Sequence, residues 1–218
     1  MKGQLIRPSL LAVRLIANVN QELYRALQLK DGMRSIGIVT ADSDDVLYTA
    51  LDEATKDAQV EVVYAKSMYA GAANASSKYA GEVIGIIAGR TPDEVKSGLK
   101  SIEKFFDGQT GFVSADDNGG VVYYAHTISR TGTYLSKIAH IKEGEPLAYL
   151  IAPPLEAVYG LDAALKAADV SLKVFYGPPS ETNFGGGLLT GSQSACRAAC
   201  GAFKEAVMSA AEQNFAVV

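Results

Sequence analysis

The residues best suited to chemistry lie in one stretch, Ile38-Val39-Thr40-Ala41-Asp42-Ser43-Asp44-Asp45-Val46. An apolar strand ending in Asp-x-Asp-x-Val has the layout of a phosphatase centre. There the first carboxylate attacks phosphorus and Mg²⁺ sits between carboxylates. On that reading Asp42 is the nucleophile and Asp44 its metal-binding companion. Phe112-Val113-Ser114-Ala115-Asp116-Asp117 supplies a later strand with an acidic pair. The competing reading is helix capping, because Asp and Ser favour the first positions of a helix and its dipole. Asp42 or Ser43 would then be the N-cap of a helix over 44–58. Capping is preferred, since the matching stretch later in the chain, Ala152-Pro153-Pro154-Leu155-Glu156, offers no nucleophile.

Other chemistry is scarce. Cys196 and Cys200 are four residues apart among alanines, a spacing for one helix face rather than a redox pair, and they read as small apolar residues. His126 and His140 fall on different elements with no Ser-Asp arrangement near them. With only 2 Cys and 2 His, neither a disulfide scaffold nor a Cys/His zinc site is expected. The net charge of -4, with no two adjacent basic residues, argues against a nucleic-acid partner. Apolar stretches are interrupted at Arg14, Glu61 and Gly85, so no membrane span is expected, and Arg7 and Arg14 make the amino-terminal segment unlike a secretory leader. A cytosolic protein with a real core is the expectation from 48% apolar and 20% charged residues.

The elements that would position these residues occur twice. Leu51-Asp52-Glu53-Ala54-Thr55-Lys56-Asp57-Ala58-Gln59-Val60 lies over Leu161-Asp162-Ala163-Ala164-Leu165-Lys166-Ala167-Ala168-Asp169-Val170 at a constant offset of 110 residues. Apolar runs precede both segments (35–39 and 147–151), and strand-like stretches follow (60–64 and 170–176). Leu47, Ala50, Leu51, Ala54 and Ala58 have helical spacing. Thr91-Pro92-Asp93-Glu94 reads as a capping box opening a helix with Val95, Leu99, Ile102 and Phe106 on one face.

The unit is strand, helix, strand, helix, strand, loop, strand, helix, used twice. Its first helix is expected over Pro8 to Leu27, with Leu10, Val13, Ile16 and Leu23 on a stripe, and its counterpart over Ser129 to Ala139. The last helix is expected over Ser192 to Gln213, after a strand at Leu188 to Thr190. Two α+β domains follow, 1–109 and 110–218. Equivalent loops, Ala65 to Gly81 and Tyr176 to Gly187, each mix small residues with an aromatic, Tyr69 or Phe184. They read equally as mobile surface loops or as a gate.

Pro146-Leu147-Ala148-Tyr149-Leu150-Ile151 followed by Ala163-Ala164-Leu165-Lys166-Ala167-Ala168-Asp169-Val170 resembles the bacterial microcompartment (BMC) shell domain, with its strand leading into an Ala-rich helix. A strand and helix ahead of the usual start resemble the circularly permuted version. Leu5-Ile6-Arg7-Pro8-Ser9, Ala41 to Val46, Ser129-Arg130-Thr131-Gly132, Ala152 to Ala157, Pro178 to Asn183 and Leu189 to Gln193 extend the likeness over the whole chain, to the tandem shell proteins of ethanolamine utilisation compartments.

The resemblance implies two tandem circularly permuted BMC domains, each a small antiparallel sheet covered by helices, and a structural protein rather than an enzyme. It implies a homotrimer forming a pseudo-hexagonal tile, edge to edge with other shell proteins, in a compartment within the cytoplasm. It also implies a gated central pore for substrates or cofactors, with Tyr69, Phe184 and Asn183 as gate residues. No cofactor is required; ethanolamine or cobalamin are candidate pore ligands, although neither His lies in a gate loop. Ethanolamine is a cation, so its recognition needs a carboxylate and hydrogen-bond acceptors. Asp45 and Glu82 are expected to bind its ammonium, with a backbone carbonyl from Phe112; the competing reading makes both carboxylates solvated caps.

Overall fold

The computed structural model describes residues 2–68 and 71–212. In chain order come β1 (Leu5–Ile6), β2 (Leu10–Ile16), α1 (Gln21–Ala26), β3 (Ser35–Ala41), α2 (Asp44–Asp57), β4 (Glu61–Ser67), a 3₁₀ turn (Ala72–Asn74), β5 (Val83–Gly89) and α3 (Pro92–Phe106). The second half gives β6 (Phe112–Ser114), β7 (Val122–Ile128), α4 (Thr133–Ala139), β8 (Leu147–Ala152), α5 (Pro154–Ala167), β9 (Val170–Tyr176), β10 (Gly185–Gly191) and α6 (Gln193–Glu212). They form two compact units. The first comprises Pro8–Gln109 with Gly132–Leu135; the second comprises the chain up to Arg7, Thr110–Thr131 and the chain from Ser136 onward. Compared with one division after residue 109, two short pieces are exchanged between the units.

The first unit holds an antiparallel sheet in the order β2-β3-β5-β4. Val39, Leu47, Leu51, Ile87, Val95, Leu99 and Ile102 pack α2 and α3 onto one face. Burial of such side chains contributes about 1.5–3 kcal/mol each. Gly85 permits the approach of α2, because a Cβ there would stand 2.8 Å from Leu51 Cδ1. The capping box is present at α3: Thr91 Oγ1 accepts from Glu94 N, and the Glu94 carboxylate accepts from Thr91 N. The second unit carries an antiparallel sheet in the order β1-β6-β7-β8-β10-β9. There α5 and α6 bury Leu161, Ala199, Phe203 and Val207 against Ala148, Leu150 and Leu189.

Several local expectations need correction. No helix spans 8–27: residues 10–16 form β2, paired with β3 from Ile16↔Ile36 to Leu10↔Ala41, and only 21–26 are helical. An apolar run this short satisfies either period, and an open edge of β3 decides for the strand. The second loop is shorter than 176–187, because Gly185, Gly186 and Gly187 pair with Ala152, Ile151 and Leu150 inside β10. Side chains do not fit there: a Cβ on Gly186 (φ +154°) would lie 1.9 Å from Leu150 O. Likewise β4 continues to Ser67, into the expected first loop.

Candidate functional site

In the first unit the end of β3 delivers Asp42, Ser43, Asp44 and Asp45 to the start of α2, and the start of β5 places Glu82 opposite them. Glu82 N donates to Ala41 O at 2.8 Å, and Met68 N donates to Glu82 O at 2.6 Å, so Glu82 links the β3 end to the loop after β4. Gly81, at φ +63°, makes this approach possible, since a Cβ would meet Ala41 O at 2.2 Å.

The four α2-proximal residues do different things. Asp42 Oδ1 accepts from Ser9 N at 2.7 Å and ties down the start of β2. Ser43 occupies the N-cap position, yet its side chain makes no capping bond. Its Oγ is buried and is the one such side-chain atom without a partner among the described residues. Asp44 Oδ1 accepts from Asp45 N at 2.8 Å, and Asp44 Oδ2 accepts from Ser67 Oγ at 2.7 Å. Ser67 Oγ in turn stands 2.6 Å from Tyr48 OH. Asp44 and Asp45 are both buried, and Asp45 O accepts from Thr49 Oγ1 at 2.9 Å.

Glu82 meets the side chain of Asp44. Burial first, then the charge of Asp44, and then a carboxyl–carboxyl hydrogen bond to it push the Glu82 acid up to about 8. The backbone N–H groups of Asp44 and Ala72 donate to Glu82 and pull the other way. Glu82 is therefore held in its protonated form near neutrality. Neither Asp45 nor Glu82 is a fully solvated cap, which corrects that competing reading. Asp44, which the motif presents as a metal ligand, is the acid brought against Glu82. Its signal was adjacency to Asp45.

The phosphatase arrangement does not form: Asp42 and Asp44 hold different backbone and side-chain donors. Among the described residues no three His, Cys, Asp or Glu side chains group so as to hold a metal ion. No described helix is long and apolar enough to cross a membrane. Phe112 belongs to the second unit, on β6, where its ring lies 5.6 Å from that of Tyr124 and 5.5 Å, edge-on, from that of Phe184. Asn183 is exposed at φ +66°, and Ser180 closes the loop around it by donating to Phe184 O at 2.7 Å. Tyr69 lies outside the described residues. Cys196 and Cys200 are free and buried, and burial pushes the Cys200 thiol up to about 11. His126 stacks on Tyr124.

Two compact units, each an antiparallel sheet covered by helices, define a protein of paired α/β domains. The BMC domain model matches residues 35–116, beginning at β3 and so leaving β2 and α1 ahead of it, as permutation implies. The bacterial microcompartment shell protein EutL of Clostridium perfringens is 63% identical over 97% of both chains. EutL of Escherichia coli K12 is 53% identical over 94% of this chain and 93% of that one. Among solved structures, the ethanolamine utilisation protein EutL of Leptotrichia buccalis superposes with a TM-score of 0.98, at 64% identity and full coverage of both chains. EtuB of Clostridium kluyveri, at 22% identity, shares the fold, with a TM-score of 0.77 over 92% of this chain and 87% of that one. The chain belongs to the EutL family of bacterial microcompartment shell proteins. Its role is structural, as a component of a compartment wall.

Proposed function

We propose that the chain tiles the shell of a cytoplasmic ethanolamine-utilising compartment as a homotrimer, and that its first unit binds ethanolamine. The observation carrying the binding site is the placement of the Glu82 carboxyl against that of Asp44, with buried Asp45 next in the chain, its N–H donating to Asp44 Oδ1 at 2.8 Å. A small organic cation can take the place of that proton, because its ammonium pairs with the carboxylates and offsets their charge. Asp45 and Glu82 hold the ammonium, with Asp44 as the third carboxylate. The unpartnered Ser43 hydroxyl at the same helix start supports a ligand that also carries a hydroxyl. Glu82, mostly protonated at pH 7, gives up its proton on binding.

Titration calorimetry on the whole chain tests this, in two buffers of different ionisation heat. Heat is expected for ethanolamine with the unmodified protein, with a buffer-dependent part from the released proton, and none for Asp45→Ala. Equal heats for both proteins, or none for the unmodified one, overturn the site.

In this reading the trimer encloses a central pore gated by the loops that follow β4 and β9, with Tyr69, Asn183 and Phe184 at the gate. Small molecules cross there, and other shell proteins meet the tile at its edges. A corrinoid such as cobalamin is the larger candidate for the pore, stacking on aromatic rings. For that, Phe184 must exchange its edge-on contact with Phe112 for the ligand.

A further inference from the structure

Ser43 holds the N-cap position of α2 and does no capping. Its backbone is set for the role: φ −144° and ψ 118° are extended, and Ser43 O accepts from Leu47 N at 3.2 Å. A serine there ordinarily accepts, through its hydroxyl, from the N–H of the second or third helical residue. The N–H of the second, Asp45, is taken by Asp44 Oδ1 at 2.8 Å, and the Ser43 side chain makes no capping bond. In the same unit Thr91 shows the ordinary arrangement, its Oγ1 accepting from Glu94 N at 3.2 Å. The neighbouring acid has displaced the Ser43 hydroxyl from the helix start.

That hydroxyl is also buried. Ser43 is 9% exposed, and its Oγ is the one buried side-chain atom without a hydrogen-bond partner among the described residues. A buried hydroxyl left alone destabilises the protein that carries it, so such groups are rare and call for a reason. The repeat shows that the fold is not the reason. At the offset of 110, Ser43, Asp44 and Asp45 correspond to Pro153, Pro154 and Leu155, and α5 starts there with no side-chain cap. An equivalent helix therefore forms without a hydroxyl. The spare hydroxyl and the buried acids occur together, in one copy of the repeat and not in the other.

We infer that Ser43 Oγ bonds the hydroxyl of an amino alcohol and sets the selectivity of this site against amines that lack one. Asp44, Asp45 and Glu82 answer the ammonium, which every primary amine carries. Ethanolamine differs from 1-propylamine only in having a hydroxyl where the other has a methyl group. Ethanolamine gives Ser43 Oγ its missing partner, whereas propylamine leaves it unpaired against that methyl. A site built to bond a hydroxyl rejects the analogue without it for this reason. The inference rests on the ethanolamine site proposed above and names the residue that makes it selective.

Titration calorimetry with ethanolamine and with 1-propylamine tests it, on the full-length unmodified chain and on Ser43→Ala. Urea denaturation of both proteins without amine accompanies it. The unmodified chain should bind ethanolamine about tenfold more tightly than propylamine. Ser43→Ala should bind the two within about twofold of each other, chiefly through weaker ethanolamine binding. Its urea midpoint should equal or exceed that of the unmodified chain, because alanine removes an unsatisfied group. Equal binding of the two amines by the unmodified chain overturns the inference, and so does a preference that survives in Ser43→Ala. Either result leaves the carboxylate site standing. A Ser43→Ala chain that is less stable, or does not fold, shows that the hydroxyl serves the fold and also overturns the inference. Heat from neither amine with the unmodified chain overturns the site itself, and this inference with it.

Discussion

Asp52 Oδ1 accepts the backbone N–H of Leu135 at 2.8 Å, although 83 positions separate the two residues. With Gly132 N on the other oxygen, and Lys56 Nζ 3.8 Å away, this buried carboxylate holds a segment of the second repeat within the first compact unit. Buried charges are stabilising only while every partner is kept.

Asp52→Ala leaves two buried N–H groups without acceptors. Loss of about 3–5 kcal/mol of unfolding free energy is expected, read by urea denaturation. Asp52→Asn keeps one acceptor oxygen and should lose less. If the alanine variant unfolds at the same urea concentration as the parent, the bond does not hold the segment.

Glu82 gives stability a pH dependence of definite sign. Its acid rises from the usual 4.5 to about 8 in the fold, so the native state holds a proton that the unfolded chain has released. That contribution is complete below pH 4.5 and is lost as pH rises through about 8. Melting temperatures should therefore fall from pH 5 to pH 8 more steeply for the parent than for Glu82→Gln, which keeps the neutral shape. Parallel curves would contradict the raised Glu82 acid.

Gly132→Ala probes the segment that Asp52 holds. An added Cβ would stand 2.2 Å from Thr55 Oγ1 and 2.6 Å from Asp52 O, and the second of these is backbone and cannot rotate away. A loss of about 1–3 kcal/mol is expected by urea denaturation. Gly119→Ala, with nothing within 4 Å but φ +71°, measures backbone strain alone and should cost about 1 kcal/mol.

The thiols report on the packing of α6. Cys196 and Cys200 are buried, and burial raises both acids, to about 11 for Cys200. Ellman's reagent at pH 8 should label neither in the native protein and both in urea, because the thiolate is the reactive form. Rapid native labelling would show that the α5–α6 layer opens.

Much of this molecule is legible in its residues. The offset between Leu51 and Leu161 exposes the repeat, Thr91 to Glu94 states where α3 begins, and the Ala-rich segment around Lys166 carries the family likeness. These are local signals, set by period and by side chains that reach only a few positions along the chain. The stretch over 8–27 misleads for the same reason: Leu10 to Ile16 fits a helix or a strand, and an edge of β3 settles which.

Sequence by itself determined two copies of one α/β unit and the presence of acids at 42, 44, 45 and 82. Only the tertiary structure decided which of those acids meet, putting Glu82 against Asp44 while turning Asp42 toward Ser9. It also decided that Asp52 of α2 is buried under the Gly132–Leu135 segment, while Asp162, its counterpart in the repeat, is exposed. The reason is common to both. A carboxylate's charge state and a helix face's cover depend on groups distant in the chain, and no local pattern records them.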